Sequence, residues 1–283
     1  MATLQDFSGY TPTWCPGCGD WGIGVAVKSA LVQLGLEPSS VMAFFDIGCS
    51  GNMNDFVNAY AMHTLHGRAI SNAVGAKLAN HKLPVIVIGG DGGLYGEGGN
   101  HFLHAARGNH DITVIVHDNS VYGLTKGQVA PTALQGAKSN STPSGIIEVP
   151  VNPLSLAITQ GATFVAQSFA GSVPHIISMI KAGIQHKGFS LVNILQPCVT
   201  FNKVNTYQYY LKNTYPLSAT HDATNFDQAL HEATEVNKER YPLGILYQTS
   251  RPAFHEQEEQ LSTNSLIEKS KFDAITELVD TFV

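Results

Sequence analysis

Five short apolar runs, separated by turn-forming residues, recur along the chain. They cover residues 41–45, 84–88, 112–116, 164–166 and 191–195. Each run is continuous rather than alternating, which is typical of strands buried on both faces of a parallel sheet. Stretches with helical spacing of apolar residues lie between or beside them, over residues 24–34, 57–65, 73–80, 100–107 and 173–186. Strands that alternate with helices predict an α/β fold with a doubly wound, mostly parallel sheet, whose ligands bind at the carboxyl ends of the strands.

Two segments, residues 119–153 and 197–225, are rich in Gly, Pro, Asn, Thr and Ser and have no clear periodicity. Loops of this length in a compact domain are usually functional or held by a partner. After residue 251 a charged run precedes an amphipathic pattern, which predicts a helix that docks on the body or on a partner. We therefore divide the chain into residues 1–196, which contain the sheet, and residues 197–283, an irregular C-terminal extension.

The charge balance narrows the possible function classes. The 283 residues include 22 acidic and 16 basic side chains, a formal net charge of −6, which argues against a nucleic-acid or anionic-membrane surface. Charged residues make up only 13% of the chain, so a large neutral surface is available for burial against another subunit. No apolar run approaches the about 20 residues of a membrane helix, and the first residues lack a secretion signal. We expect a soluble, cytoplasmic protein.

Four cysteines could form a metal or cluster site. Cys15 and Cys18 form a C-x-x-C motif, whereas Cys49 and Cys198 stand alone after predicted strands. Structural disulfides are not expected in a cytosolic protein of this size. A zinc site usually has two C-x-x-C pairs, while a 4Fe–4S cluster tolerates one pair and two distant cysteines. A redox pair and four inert thiols remain open, so the spacing favours a metal or cluster site without deciding between them.

A glycine-rich motif, Gly89-Gly90-Asp91-Gly92-Gly93, directly follows the second apolar run, and Asn119 follows the third. Because the carboxyl ends of neighbouring parallel strands meet at one edge of a sheet, Asp91 and Asn119 should lie close together. Carboxylate and amide oxygens suit Mg²⁺, which shares its octahedron with phosphate oxygens and water. The glycines let backbone N–H groups approach those phosphates. The pattern predicts a magnesium and phosphate site.

This arrangement resembles the thiamin diphosphate fingerprint, in which an Asp, an Asn and a backbone carbonyl two residues later hold the metal. That carbonyl belongs here to Val121. Further matching motifs are Trp14-Cys15-Pro16-Gly17-Cys18-Gly19-Asp20, Ile47-Gly48-Cys49-Ser50-Gly51, His63-Thr64-Leu65-His66-Gly67-Arg68, Gly99-Asn100-His101, residues 118–128, Pro131-Thr132, Gln196-Pro197-Cys198 and residues 242–247. Together they span residues 12 to about 255. The chain resembles the β subunits of 2-oxoacid:ferredoxin oxidoreductases.

The resemblance implies the thiamin-diphosphate-binding fold and a set of cofactor ligands. Magnesium is implied to bind Asp91, Asn119 and the Val121 carbonyl, and one 4Fe–4S cluster to bind Cys15, Cys18, Cys49 and Cys198. The residues implied to contact thiamin diphosphate are Ile47, Gly48, Cys49, Ser50, His66, Gly92, Gly93, Gly123 and Leu124. Lys126 is implied to pair with a substrate carboxylate as a point charge. Residues 1–196 then form the cofactor domain with an N-terminal cluster-binding segment, and residues 197–283 add the fourth cluster cysteine and a contact with another subunit.

The activity implied is CoA-dependent oxidative decarboxylation of a 2-oxoacid to acyl-CoA and CO₂, or the reverse carboxylation, with electrons passing through the cluster to ferredoxin. In this family an α subunit supplies the glutamate that activates the cofactor, so we expect an αβ heterodimer, doubled to a heterotetramer. The residues after Tyr122, Gly123-Leu124-Thr125, resemble the 2-oxoglutarate or broad-range branch.

Three alternatives remain. They are a pyruvate-specific member of the family, a non-redox thiamin diphosphate decarboxylase or transferase subunit with structural zinc, and a flavodoxin-like binding module without catalysis. Two positions depart from the family pattern: Gly93 stands where relatives often carry a second Asp, and Asp46 where they commonly carry Gly.

Overall fold

The computed structural model describes residues 1–261 and 264–268. The helices are α1 Asp20–Gln33, α2 Ala69–Ala79, α3 Gly99–Gly108, α4 Pro153–Thr159, α5 Val173–Gln185, α6 Tyr207–Asn213, α7 Phe226–Thr234 and α8 Phe254–Gln257. The strands are β1 Met42–Phe45, β2 Tyr60–His63, β3 Val85–Gly90, β4 Thr113–Asp118, β5 Val121–Tyr122, β6 Gln128–Val129, β7 Phe164–Phe169, β8 Ser190–Leu195, β9 Thr214–Pro216 and β10 Tyr241–Gln248.

Eight strands form one sheet in the order β2-β1-β3-β4-β8-β7-β10-β9. Neighbouring strands are parallel except at β7 and β10, which pair antiparallel. The short strands β5 and β6 form a separate hairpin beside the sheet. This confirms the predicted doubly wound, mostly parallel sheet. The chain runs from β1 to β2 on one side and from β3 to β4 on the other, so the strand order reverses between β1 and β3. It is at such a switch point that α/β sheets bind ligands.

Both faces of the sheet are covered by helices, which explains why the strands read as continuous apolar runs. In β3, Ile86 and Ile88 pack into the core beneath α1 and α5, whereas Val85 and Val87 pack into the core beneath α2, α3, α4 and α7. All four side chains are almost fully buried. At about 25 cal/mol per Å² of buried apolar area, each stabilises the fold by roughly 1.5–3 kcal/mol. None of the helices in the part of the chain that the structure describes is long and apolar enough to cross a membrane.

The predicted helix over residues 57–65 is wrong. Residues Tyr60–His63 instead form β2, an edge strand parallel to β1 with all four side chains exposed. The backbone of Tyr60 donates to the Val41 carbonyl and that of Thr64 to the Phe45 carbonyl, so pairing with β1 fixes an extended conformation. An edge strand with both faces exposed shows no alternation of burial, and the local apolar spacing was therefore misleading.

The C-terminal extension is more regular than predicted. It contains α6, α7 and two strands, of which β10 pairs with β7 and so joins the main sheet. The division near residue 197 stays a prediction. Of the predicted amphipathic C-terminal helix, Leu266 and Ile267 lie in a short 3₁₀ helix, Leu266–Glu268, and the other apolar positions, Ile275, Leu278 and Val279, lie outside the described residues.

Candidate active site

A cavity of about 70 Å³ lies at the carboxyl ends of β1, β3 and β4. It is lined by every residue predicted to contact thiamin diphosphate or Mg²⁺, and also by Gly90, Tyr122 and Thr125. Lys126 follows Thr125 directly, but its side chain is exposed and does not line the cavity. The structure therefore brings together the predicted cofactor residues and leaves the predicted substrate lysine at the rim.

Asp91, which lines this cavity, has one buried carboxylate oxygen without a hydrogen bond to the described residues. Its Oδ2 atom accepts hydrogen bonds from the Ser120 N–H at 3.0 Å and from the Thr132 hydroxyl at 2.5 Å. Its Oδ1 atom is buried and has no hydrogen-bond partner among the described residues. Burial, together with the charge of Asp118, raises the pKa of Asp91 to about 8. A divalent cation at Oδ1 would offset this unfavourable burial of charge and satisfy the unpaired atom.

The turn after β4 presents the other two predicted metal ligands. Ser120 has a φ of 62°, in the left-handed region, which reverses the chain between Asn119 and Val121. The Asn119 Nδ2 group donates to Gln196 Oε1 at 2.6 Å, while Oδ1 accepts from the Val121 N–H at 3.1 Å. Gln196 and the Val121 N–H thus fix the Asn119 amide, which lines the same cavity as Asp91. The donor set of one carboxylate, one amide oxygen and one carbonyl suits Mg²⁺.

Glycines let the backbone approach a ligand closely at three positions of the cavity wall. Gly48 has a φ of 127°, and a Cβ atom there would meet no atom within 4 Å, so it borders open space. A Cβ atom on Gly92 would overlap the Tyr122 ring, and one on Gly93 would overlap Asp46 Oδ2. Side chains are excluded at these two positions, so the backbone alone lines the cavity there. Phosphate binding uses backbone N–H groups of such glycine-rich turns.

Asp46 is a site residue that the sequence analysis missed. Its side chain is fully buried; Oδ1 accepts the Gly67 N–H at 2.7 Å, and Oδ2 lies 3.6 Å from His66 Nδ1. Burial raises the pKa of this carboxyl group. The departure from the family pattern at this position was the available signal. Asp46 thus fixes the loop that carries His66, whose ring faces Tyr122 at 6.1 Å between centroids.

All four cysteines are free of disulfides, and two of them, Cys49 and Cys198, lie beside the cavity. The sulfur atoms of Cys49 and Cys198 lie 3.5 and 3.7 Å from the Cβ position of Gly123, which itself lines the cavity. Burial, together with the nearby charges of Asp20, Cys198 and Cys15, raises the pKa of Cys49 to about 12. Bound iron would reverse this effect, because coordination favours the thiolate.

Polar groups hold the remaining two cysteines in place. The Thr200 hydroxyl donates to Cys15 Sγ at 3.2 Å, and the Gln196 amide donates to Cys18 Sγ at 3.2 Å. Over residues 1–261 and 264–268, no three His, Cys, Asp or Glu side chains converge closely enough to hold a single metal ion.

A buried acid–base pair adjoins the thiols and was not predicted. Asp20, at the start of α1, contacts His117 Nδ1 through Oδ1 at 2.6 Å. Its second oxygen accepts a hydrogen bond from Cys18 Sγ at 3.3 Å. Both Asp20 and His117 are nearly inaccessible to solvent. The pair ties the C-x-x-C motif to β4, the strand that leads to Asn119.

Comparison with known proteins agrees with this geometry. Residues 46–194 match the family model described as thiamine pyrophosphate enzyme, C-terminal TPP binding domain, and residues 198–263 match the model for the C terminal of the pyruvate ferredoxin oxidoreductase beta subunit. The chain is 44% identical over 275 residues to a 2-oxoacid:ferredoxin oxidoreductase subunit beta from Sulfolobus sp, covering 90% of this chain and 88% of that protein.

Two further relatives are named as enzymes of 2-oxoglutarate. The chain is 41% identical over 191 residues to the 2-oxoglutarate synthase subunit KorB of Archaeoglobus fulgidus, covering 68% of this chain and 71% of that protein. A solved structure of the 2-oxoglutarate:ferredoxin oxidoreductase from Magnetococcus marinus, with 2-oxoglutarate, coenzyme A and succinyl-CoA bound, superposes with a TM-score of 0.91 at 37% identity. That match covers 100% of this chain and 96% of the other.

Proposed function

The chain belongs to the β subunits of the 2-oxoacid:ferredoxin oxidoreductases, and we propose that it binds thiamin diphosphate through Mg²⁺ and carries one 4Fe–4S cluster on Cys15, Cys18, Cys49 and Cys198. With an α subunit and CoA it converts a 2-oxoacid to acyl-CoA and CO₂ and passes two electrons to ferredoxin, or runs in reverse. The αβ pair is doubled to a heterotetramer. A 2-oxoacid with a second carboxylate, 2-oxoglutarate, is favoured over pyruvate.

The observation that carries this proposal is a shared wall between the cofactor cavity and the thiols. Cys49 and Gly123 both line the cavity, and the sulfurs of Cys49 and Cys198 lie within 3.7 Å of the Cβ position of Gly123. An oxidative decarboxylation must move electrons from the cofactor to an acceptor, and adjacent sites keep that path short. A structural zinc ion, which transfers no electrons, would have no need to lie beside the cofactor cavity.

The chain's own residues would orient the cofactor rather than react. Asp91 Oδ1, Asn119 Oδ1 and the Val121 carbonyl would hold the metal, and the backbone at Gly92 and Gly93 would face the diphosphate. Thiamin diphosphate, when bound, supplies a carbon nucleophile for the keto carbon and accepts the electrons left when CO₂ departs. Burial of this end of the sheet excludes water from the charged groups.

The site needs a partner chain for its acid–base chemistry. Of the described residues that line the cavity, Asp91 is the sole carboxylate, and it faces the metal position. Glu97 lies nearby but is engaged, since its carboxylate accepts the Tyr122 hydroxyl at 3.2 Å. A glutamate for the aminopyrimidine would therefore come from the α subunit. The exposed edge strand β2, close to His66 in the chain, provides a surface for that contact.

The preference for 2-oxoglutarate rests on the loop after Tyr122. Leu124, Thr125 and Lys126 are all exposed, and the first two line the cavity mouth. The exposed charge of Lys126, directly after these residues, supports its proposed pairing with the distal carboxylate of a bound substrate as a point charge. The names of the relatives from Archaeoglobus fulgidus and Magnetococcus marinus support the same substrate.

The experiment is a cofactor and substrate analysis of the αβ complex purified without oxygen. Iron, sulfide, zinc and thiamin are counted per β chain, and the visible spectrum is recorded before and after adding CoA with 2-oxoglutarate or with pyruvate. We expect this chain to bind four iron atoms and one thiamin diphosphate. The visible absorption should bleach faster with 2-oxoglutarate than with pyruvate. Zinc in place of iron, with thiamin retained, would instead establish the non-redox alternative.

A further inference from the structure

Thr132 lies in the aperiodic segment 119–153 and reaches back to the metal position. Its Oγ1 atom is 2.5 Å from Asp91 Oδ2 and 2.8 Å from Asp118 Oδ1. The side chain is half-buried, and its backbone carbonyl accepts a weaker bond from the Ser120 hydroxyl at 3.3 Å. A hydroxyl has one proton to give, and the shorter of the two contacts assigns that proton to Asp91 Oδ2.

We propose that Thr132 is a positioning residue that restricts Asp91 to binding a metal through Oδ1 alone, and that this restriction selects Mg²⁺ over Ca²⁺. The inference rests on the proposed magnesium site and deepens it by assigning the source of metal preference.

Two hydrogen bonds on one oxygen determine how Asp91 can bind. Oδ2 accepts from both the Ser120 N–H and the Thr132 hydroxyl, whereas Oδ1 has no partner among the described residues. Rotating the carboxylate to bind a cation with both oxygens would break these two bonds. Mg²⁺ demands octahedral geometry at about 2.0–2.1 Å and takes one oxygen per carboxylate, whereas Ca²⁺, at about 2.3–2.6 Å, accepts two-oxygen binding readily. Holding Oδ2 back therefore favours the smaller ion.

The backbone around Thr132 is itself anchored, so the hydroxyl has a fixed position. The Ala130 N–H donates to the Ser120 carbonyl at 3.2 Å, and the Val151 N–H donates to the Pro131 carbonyl at 2.8 Å. The Ala133 N–H closes a turn on the Ala130 carbonyl at 2.9 Å. The turn that carries Asn119 and the segment that carries Thr132 are thus joined, and they approach Asp91 together.

The test compares Thr132→Val, which keeps the shape and removes the hydroxyl, with Thr132→Ser, which keeps the hydroxyl. The αβ complex is treated with EDTA, supplied with saturating thiamin diphosphate and titrated with MgCl₂ or CaCl₂ in a calorimeter. We expect Thr132→Val to weaken Mg²⁺ binding about tenfold or more, as for other residues that orient metal ligands, and Ca²⁺ binding by less than about threefold. Thr132→Ser should stay within about threefold of wild type for both ions.

Each result bears on the inference. An unchanged ratio of Mg²⁺ to Ca²⁺ affinity in Thr132→Val, or equal losses in the Val and Ser variants, would overturn it while leaving the metal site in place. If the Val variant does not fold, Thr132→Ala supplies the same comparison, because it also removes the hydroxyl. A wild-type complex that binds thiamin diphosphate equally well without any divalent cation would refute the proposed metal site, and this inference with it.

Discussion

Replacing Asp46 should reveal how a buried carboxylate holds the cofactor loop. In Asp46→Ala the Gly67 N–H loses its 2.7 Å acceptor inside a site from which water is excluded. An unpaired buried N–H costs about 1–3 kcal/mol. Part of this is offset, because the raised pKa of Asp46 means that burying its charge is itself unfavourable. We expect the free energy of unfolding to fall by about 1–2 kcal/mol.

Asp46→Asn is the matched control, because its amide oxygen can still accept the Gly67 N–H. Its free energy of unfolding, measured by urea titration, should stay within about 1 kcal/mol of wild type. Equal destabilisation by Ala and Asn, or none by Ala, would refute the role of this hydrogen bond.

The same carboxylate should also orient His66 for the cofactor. Oδ2 lies 3.6 Å from His66 Nδ1, and the His66 side chain is 37% exposed, so solvent weakens the contact. We expect both Asp46 variants to bind thiamin diphosphate about two- to fivefold more weakly. In a double-mutant cycle with His66→Gln, the coupling should be about 0.5–1 kcal/mol. Strictly additive losses of affinity would show that the two residues act separately.

Three further changes test other parts of the molecule. Cys198→Ser should lower the iron content and bleach the visible chromophore; a full chromophore would remove Cys198 from the ligand set. Lys126→Ala should raise the KM for 2-oxoglutarate about tenfold, equivalent to about 1.4 kcal/mol, with unchanged thiamin affinity; an unchanged KM would refute its pairing with the substrate. Burial, together with the charge of His255, lowers the pKa of His110 to about 4. Between about pH 6.5 and pH 4 the unfolded chain therefore binds a proton at His110 that the folded chain does not. Acidification through that window should therefore remove about 1–2 kcal/mol of stability after allowance for solvent screening, and His110→Gln should flatten this part of the pH profile in urea titrations.

The sheet and the cofactor residues could be predicted because each leaves a local mark on the sequence. Strands buried on both faces must be continuously apolar, because successive side chains enter two different cores. Strand β3 is an example, since its consecutive residues alternate between the two cores: Val85, Ile86, Val87 and Ile88. Asp91 and Asn119 were paired because both follow such strands, and parallel strands end at the same edge. The glycines at 92 and 93 were identified from the motif around Asp91, and the structure adds the reason for them, because no side chain fits there.

The residues to which the prediction gave no role in the site act through contacts between distant parts of the chain. Asp46 bonds to Gly67 across 21 positions, and Thr132 bonds to Asp91 across 41. Neither contact has a fixed spacing, since each depends on how a loop without periodicity packs against the sheet. The strand β2 was mistaken for a helix for the same reason, because its conformation comes from pairing with β1 and not from its own side chains.

Cofactor binding and substrate choice are subject to different physical constraints in this site. Gly92 and Gly93 are closed to any side chain by Tyr122 and Asp46, so the surface that faces the diphosphate cannot vary without moving those neighbours. Leu124, by contrast, is 50% exposed at the cavity mouth, and Lys126 is exposed beside it. Lys126 does not line the cavity, so its substitution leaves every cavity-lining residue in place. Substrate preference can therefore change at Lys126 while the cofactor remains bound, and variants of Lys126 should alter the KM for the 2-oxoacid far more than the affinity for thiamin diphosphate.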